Sequence, residues 1–125
     1  MKRQVKIGVA DHRQIAQEFV TAWKRAERGD APEEPVERLY FADMITLFET
    51  LTPVRLRLLV MLHREGPSSI RSLSQKLHRD YKNVHTDVGI LSQAGLIIKD
   101  RQDRLTSPWT SIISELTLDS PGLSA

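Results

Sequence analysis

Lys82, Asn83, His85 and Thr86 fall within five consecutive positions and offer the donors and acceptors that read base-pair edges. An asparagine amide can pair bidentately with adenine, and a threonine methyl can touch the methyl of thymine. Such side chains read a duplex only from a helix short enough to enter the major groove by its N-terminal turns. The local spacing predicts that helix. Val84, Val88 and Leu91 recur at i, i+4 and i+7, Asp80 stands where an N-cap belongs, and Ala94-Gly95 closes the run. The four polar residues, with Gly89, lie on the face opposite that stripe.

A second helix must hold the first in place. Ile70, Leu73 and Leu77 repeat at i, i+3 and i+7 behind a capping Ser68 or Ser69, and His78-Arg79-Asp80-Tyr81 leaves room only for a turn. Ser69, Arg71, Lys76 and Arg79 are the candidates for phosphate contacts from this helix and turn, and Tyr81 joins them through its hydroxyl. Each of these cations could equally be a solvated surface charge. The Tyr81 ring could instead pack under the turn. Arg55 and Arg57 read as structural or dimer-facing, and Asp87, beside the apolar stripe, is expected to pair with a nearby cation.

The remaining elements surround this pair. Val5, Ile7 and Val9 alternate with Lys6 and Gly8, as in a half-buried strand, and Asp11 is placed to cap a helix running to about Arg28. On that helix Ile15, Phe19, Ala22, Trp23 and Ala26 share a face. Its aromatics could pack on the same chain or on a second subunit, so Ile15, Phe19 and Trp23 are the candidate dimer or partner contacts. Gly29–Pro35 reads as a linker, and Val36–Phe41 as a strand with Val36, Leu39 and Phe41 inward. A helix follows from about Ala42 to Leu51, with Met44, Leu47, Phe48 and Leu51 as its stripe. Thr52-Pro53 starts another, apolar nearly all round and therefore expected to be central and buried, which Gly66-Pro67 ends.

After Gly95, the run Leu96–Lys99 reads as a strand, Asp100–Arg104 as a charged tip and Leu105–Trp109 as the return. Arg101 and Arg104 at that tip could reach a neighbouring backbone or minor groove. Ser111–Leu118 is a final extended run with Ile112, Leu116 and Leu118 on one face, and residues 119–125 read as a disordered tail. The expected fold is mainly α with a small β component: a winged helix-turn-helix domain over residues 36–118 behind an N-terminal strand–helix arm over residues 1–35.

The net charge of +2 becomes informative when divided. Residues 1–28 carry seven Lys/Arg against three acids, residues 29–50 one against six, and residues 51–104 ten against five. Positive charge thus gathers on the helical hairpin and its flanks, the distribution expected of a protein facing a polyanion. The chain has no cysteine, which excludes disulfides and thiolate chemistry and fits a reducing, cytoplasmic setting. No apolar run approaches membrane-spanning length, and Val5–Ala10 is too short and interrupted for a signal peptide, so no membrane association is expected.

The stretch Leu56–Leu96 resembles the MarR-like winged helix proteins, and more narrowly small regulators encoded in toxin–antitoxin-type gene pairs. Tyr40-Phe41-Ala42-Asp43-Met44 matches their entry motif, and Pro108-Trp109 with Ile112–Leu118 matches their closing segment. The resemblance runs from about Val5 to Leu118. Lys82-Asn83 is kept, whereas His85-Thr86 stands where Ser-Arg is common, and the wing is shorter and less basic than usual. What the resemblance implies is a homodimeric repressor of transcription that binds double-stranded DNA and controls its own promoter, with a cognate toxin protein as a second partner.

Two other classes of function compete with this reading. His12, His63, His78 and His85 are scattered without carboxylate or thiolate companions at metal spacing, and neither a G-x-S-x-G elbow nor a phosphate-binding glycine loop occurs. No catalytic residue, metal or cofactor is therefore expected. A protein-interaction module is the closer rival. Its arm and acidic collar would grip a partner such as a toxin, with DNA binding secondary.

Overall fold

The computed structural model describes residues 3–9, 12–29, 36–114 and 118, and it is a mixed α/β structure in which helices predominate. The elements in chain order are β1 (Gln4–Val9), α1 (His12–Glu27), β2 (Val36–Phe41), α2 (Met44–Thr50), α3 (Pro53–Glu65), α4 (Ile70–Leu77), α5 (Tyr81–Gln93), β3 (Ile98–Lys99), β4 (Leu105–Thr106) and β5 (Ser111–Ser114). The cap expected at Asp11, linker positions 30–35, Leu116 and the tail 119–125 lie outside the described residues.

Strand β1 is central. It pairs in parallel with β2 on one side and with β5 on the other, giving the sheet order β2-β1-β5. The alternation at the start of the sequence is the cause: Val5 and Ile7 are buried, as a strand flanked on both edges requires. The first strand is thus the middle of the sheet, paired with two strands that both follow the boundary expected at residue 35. Of the final extended run, Ser111–Ser114 pairs with β1, and Leu118, expected on its inward face, is 83% exposed. In β2 the phase runs through Glu37, Leu39 and Phe41, which register with Val5, Ile7 and Val9. Glu37 therefore occupies the face that the sequence reading assigned to Val36.

One core joins this sheet to the helices. Val5, Ile7, Phe41, Met44 and Leu47 share a cluster with Leu58, Leu62, Leu73, Val84, Val88, Leu91, Leu96 and Leu105. Gly95 turns the chain at φ 87°, a conformation that favours glycine, and a Cβ there would lie 3.0 Å from Leu39 Cδ2, so that side chain would have to give way. Arg3 fastens the N-terminal end: its Nε and Nη2 donate to both Glu37 oxygens at 2.9 and 2.6 Å. Trp109 Nε1 donates to Glu37 Oε2 at 2.5 Å, and the Arg3 guanidinium sits 5.7 Å from the Trp109 ring centre.

Helix α3 departs from the expectation of burial all round. Leu58, Leu59 and Leu62 are buried, but Val54, Leu56 and Val60 remain 40–48% exposed. A helix 13 residues long with one core beneath it can bury one side only. Phe48 of α2 is exposed for the same reason, since Met44 and Leu47 already fill the contact. Helix α1 touches the rest mainly through polar groups: Glu18 pairs with Arg38 at 2.9 Å and accepts from the Tyr40 hydroxyl at 2.7 Å.

Candidate nucleic-acid interface

Three caps and a bridge set the α4–α5 hairpin. Thr52 accepts from the Arg55 amide to start α3, and Ser69 Oγ accepts from the Ser72 amide at 3.1 Å to start α4. Of the two candidate serines, Ser69 is the cap. Ser68 is buried and exchanges backbone hydrogen bonds with Leu105 at 3.0 and 2.9 Å, so the base of the β3–β4 hairpin is tied to the entrance of α4. His78 ends α4 in the left-handed region (φ 53°), and Asp80 caps α5, accepting from the Lys82 amide at 3.4 Å.

The periodicity of α5 holds in three dimensions. Val84, Val88 and Leu91 are buried; Lys82, Asn83, His85, Thr86 and Gly89 are exposed. Lys82, Thr86, Gly89 and Gln93, at i, i+4, i+7 and i+11, form the outermost line, with His85 and Asn83 flanking it. No exposed position of α5 carries a carboxylate. Thr86 Oγ1 donates back to the Lys82 carbonyl at 3.1 Å, so the hydroxyl proton is engaged within the helix while the residue stays exposed. Tyr81 is 49% exposed, its ring centre 6.1 Å from that of His85. The packing under the turn considered for Tyr81 is not what the structure has.

The candidate phosphate contacts divide. Ser69 is exposed at the helix start, and Arg71 is exposed with no ion pair among the described residues. Lys76 Nζ is 2.6 Å from Glu65 Oε2. Arg79 turns inward: its Nη2 donates to Asp87 Oδ2 at 2.7 Å, and its Nη1 is buried without a partner. Asp87 also accepts from Arg55 Nε at 3.0 Å, while Arg55 Nη1 donates to the Glu49 carbonyl at 2.7 Å. Arg55 is thus structural, and Asp87 takes two cations. The signal for this was present in the sequence, because an acid three residues after Val84 lies within the apolar stripe of α5 and must be paired there.

The two arginines at the tip of the β3–β4 hairpin, expected as wing contacts, differ in the same way. Arg101 is exposed at the tip, whereas Arg104 is drawn back by Asp100, which accepts from its backbone N–H at 2.8 Å and its Nε at 3.0 Å. The Arg104 amide, foremost, holds the Asp100 carboxyl below the usual carboxylate range. Of the other candidates, Phe19 and Trp23 are 68% and 60% exposed on α1, stacked at 6.5 Å, and Ile15 is half-buried.

The described residues contain no group of three His, Cys, Asp or Glu side chains that could hold a metal ion. They contain no helix long and apolar enough to cross a membrane. A family model described as HVO_A0114 matches residues 50–113, which is 64 of the 125 residues. The match takes in α3, the α4–α5 hairpin, the β3–β4 hairpin and most of β5, and leaves out β1, α1 and β2. No curated protein and no solved structure matches the chain.

Proposed function

The chain belongs to the HVO_A0114 family, and from that premise and the geometry of α5 we propose that it is a sequence-specific DNA-binding regulator of transcription. The observation that carries this reading is the outward face of α5, where Lys82, Asn83, His85 and Thr86 stand exposed and no exposed position within the helix is acidic, the exposed Asp80 before it being its N-cap. The order α3, α4, α5, then a two-stranded hairpin bridged to Ser68, supports a winged helix-turn-helix of the MarR-like kind, with Arg101 on the wing. Helix α5 enters the major groove, Ser69 and Arg71 hold phosphates from α4, and Tyr81 contributes its hydroxyl. Two copies would place their helices about one turn of DNA (~34 Å) apart on a near-palindrome. A homodimeric repressor acting on its own promoter, as an antitoxin beside a toxin, is the biological setting this reading takes from the resemblance.

Selection from a randomised duplex pool tests it. Enrichment of a near-palindrome whose affinity falls steeply with salt is the expected result. A pool that emerges without an enriched motif would end the reading. The second reading, a module that grips a protein partner, is favoured by one feature: the exposed Phe19–Trp23 stack, which nothing in the chain covers among the described residues.

A further inference from the structure

Helix α5 has a glycine in its interior that the fold does not require. Gly89 is the ninth of its 13 residues and has no positive φ. A Cβ built on it would meet no atom within 4 Å, whereas one on Gly95 would press against Leu39. An interior glycine weakens a helix relative to alanine because its backbone loses more freedom on folding. Alanine would therefore fit the fold at this position, and nothing among the described residues calls for glycine.

Its position says what body outside the chain would call for it. Gly89 is on the outermost line with Lys82 and Thr86, on the face proposed above to meet DNA. At a rise of 1.5 Å per residue it lies about 10 Å along the axis from Lys82. The major groove is about 8.5 Å deep and about 12 Å wide, while a helix with its side chains is about 10–12 Å across. For a helix entering by its N-terminal end, Lys82 and Thr86 reach the floor and Gly89 comes level with the rim, where clearance is least. We propose that Gly89 is the point of closest approach between α5 and the sugar–phosphate wall of the duplex, and that its missing side chain sets how deeply the helix is seated. The proposal rests on the DNA-reading assignment and adds to it a contact that carries no sequence information.

Gly89→Ala in the full chain tests it, with thermal unfolding read beside binding to two duplexes of about three helical turns (~30 base pairs). One duplex is the selected motif and the other a shuffled sequence of equal composition. The expected result has opposite signs: a Tm higher by about 3 °C, and affinity lower by roughly tenfold or more on both duplexes with their ratio unchanged. Unchanged or improved affinity overturns the proposal. So does a lower Tm, which would give the glycine a reason inside the chain, and so does a loss confined to the selected motif, which would make the contact a base contact. The unmodified chain is measured first: if it binds neither duplex, the DNA-reading assignment itself fails and takes this inference with it.

Discussion

Arg79 donates to Asp87 at 2.7 Å from the turn that precedes α5, and Asp87 passes the connection to Arg55 of α3 through its other oxygen at 3.0 Å. The carboxylate is 12% exposed and the two guanidiniums 18% and 27%. Half-buried charges of this kind are costly when one partner is removed, because the others stay behind unpaired. Replacing Asp87 by alanine is expected to lower unfolding free energy by about 3 kcal/mol in urea titration. Replacing Arg79 is expected to cost about half as much, since Asp87 keeps Arg55. A midpoint unmoved by Asp87→Ala would show that the pairs contribute nothing.

The same geometry separates two arginines that are alike in the sequence. Arg71 is exposed without an ion pair among the described residues, whereas Arg79 is bound to Asp87. Arg71→Ala is expected to leave Tm within about 1 °C and to weaken DNA binding on all duplexes, with the salt slope reduced by about one. Arg79→Ala is expected to lower Tm. Interchanged effects would mean that the inward pose of Arg79 is not the one that meets DNA.

Much of this was legible in the sequence because helices are local. The α4–α5 hairpin, its cap at Asp80, its buried stripe and its outward polar face follow from spacing alone, since 3.6-residue periodicity and capping need no knowledge of distant residues, while the choice of Ser69 over Ser68 comes from the fold. The partners of strands are different. Val5 and Ile7 announce a strand but say nothing of Glu37 or Ile112 as neighbours, because parallel pairing joins segments separated by whole helices. Arg79 is similar: its type suits a phosphate, Asp87 in the stripe announces that it needs a cation, and the fold supplies which cations those are, Arg79 and Arg55.

Asn83 is exposed in the first turn of α5, flanking the line of Lys82 and Thr86. A bidentate amide–adenine pair discriminates by about 1–3 kcal/mol. Asn83→Ala is therefore expected to lose that much on the selected duplex and to relax preference at one base pair, measured by competition between single-substituted duplexes. Equal loss on every sequence would make Asn83 a phosphate holder instead.

The Arg3 hydrogen bond, first, and then the Trp109 indole N–H hold the Glu37 carboxyl below its ordinary value of 4.5. The folded-state value is the lower one, so this contribution is present above about pH 4.5 and is lost as pH falls through the folded value. With Glu37 and Arg3 side chains 40% and 46% exposed, solvent screening keeps it small, on the order of 0.5 kcal/mol. Glu37→Gln is expected to lower stability slightly at pH 7 and to flatten the decline between about pH 5 and pH 3. A decline of unchanged steepness would place the acid sensitivity elsewhere.

Phe19 and Trp23 stack with ring centres 6.5 Å apart while remaining 68% and 60% exposed, and α1 is held to the sheet through Glu18, Arg38 and Tyr40 instead. Removing the two rings should therefore cost the single chain little. A near-palindromic DNA site needs two copies in fixed relation, and an exposed aromatic pair on a helix is a surface that a second copy can bury. In size-exclusion chromatography with light scattering the unmodified chain is expected to elute as a dimer and the double variant Phe19→Ser, Trp23→Ser as a monomer. Far-ultraviolet circular dichroism should be unchanged. Binding to a single half-site should persist, while binding to the full site should lose its bivalent gain of about a hundredfold. If the variant is still dimeric, the exposed Val54, Leu56 and Val60 face of α3 becomes the surface to test, and α1 is left for a different protein.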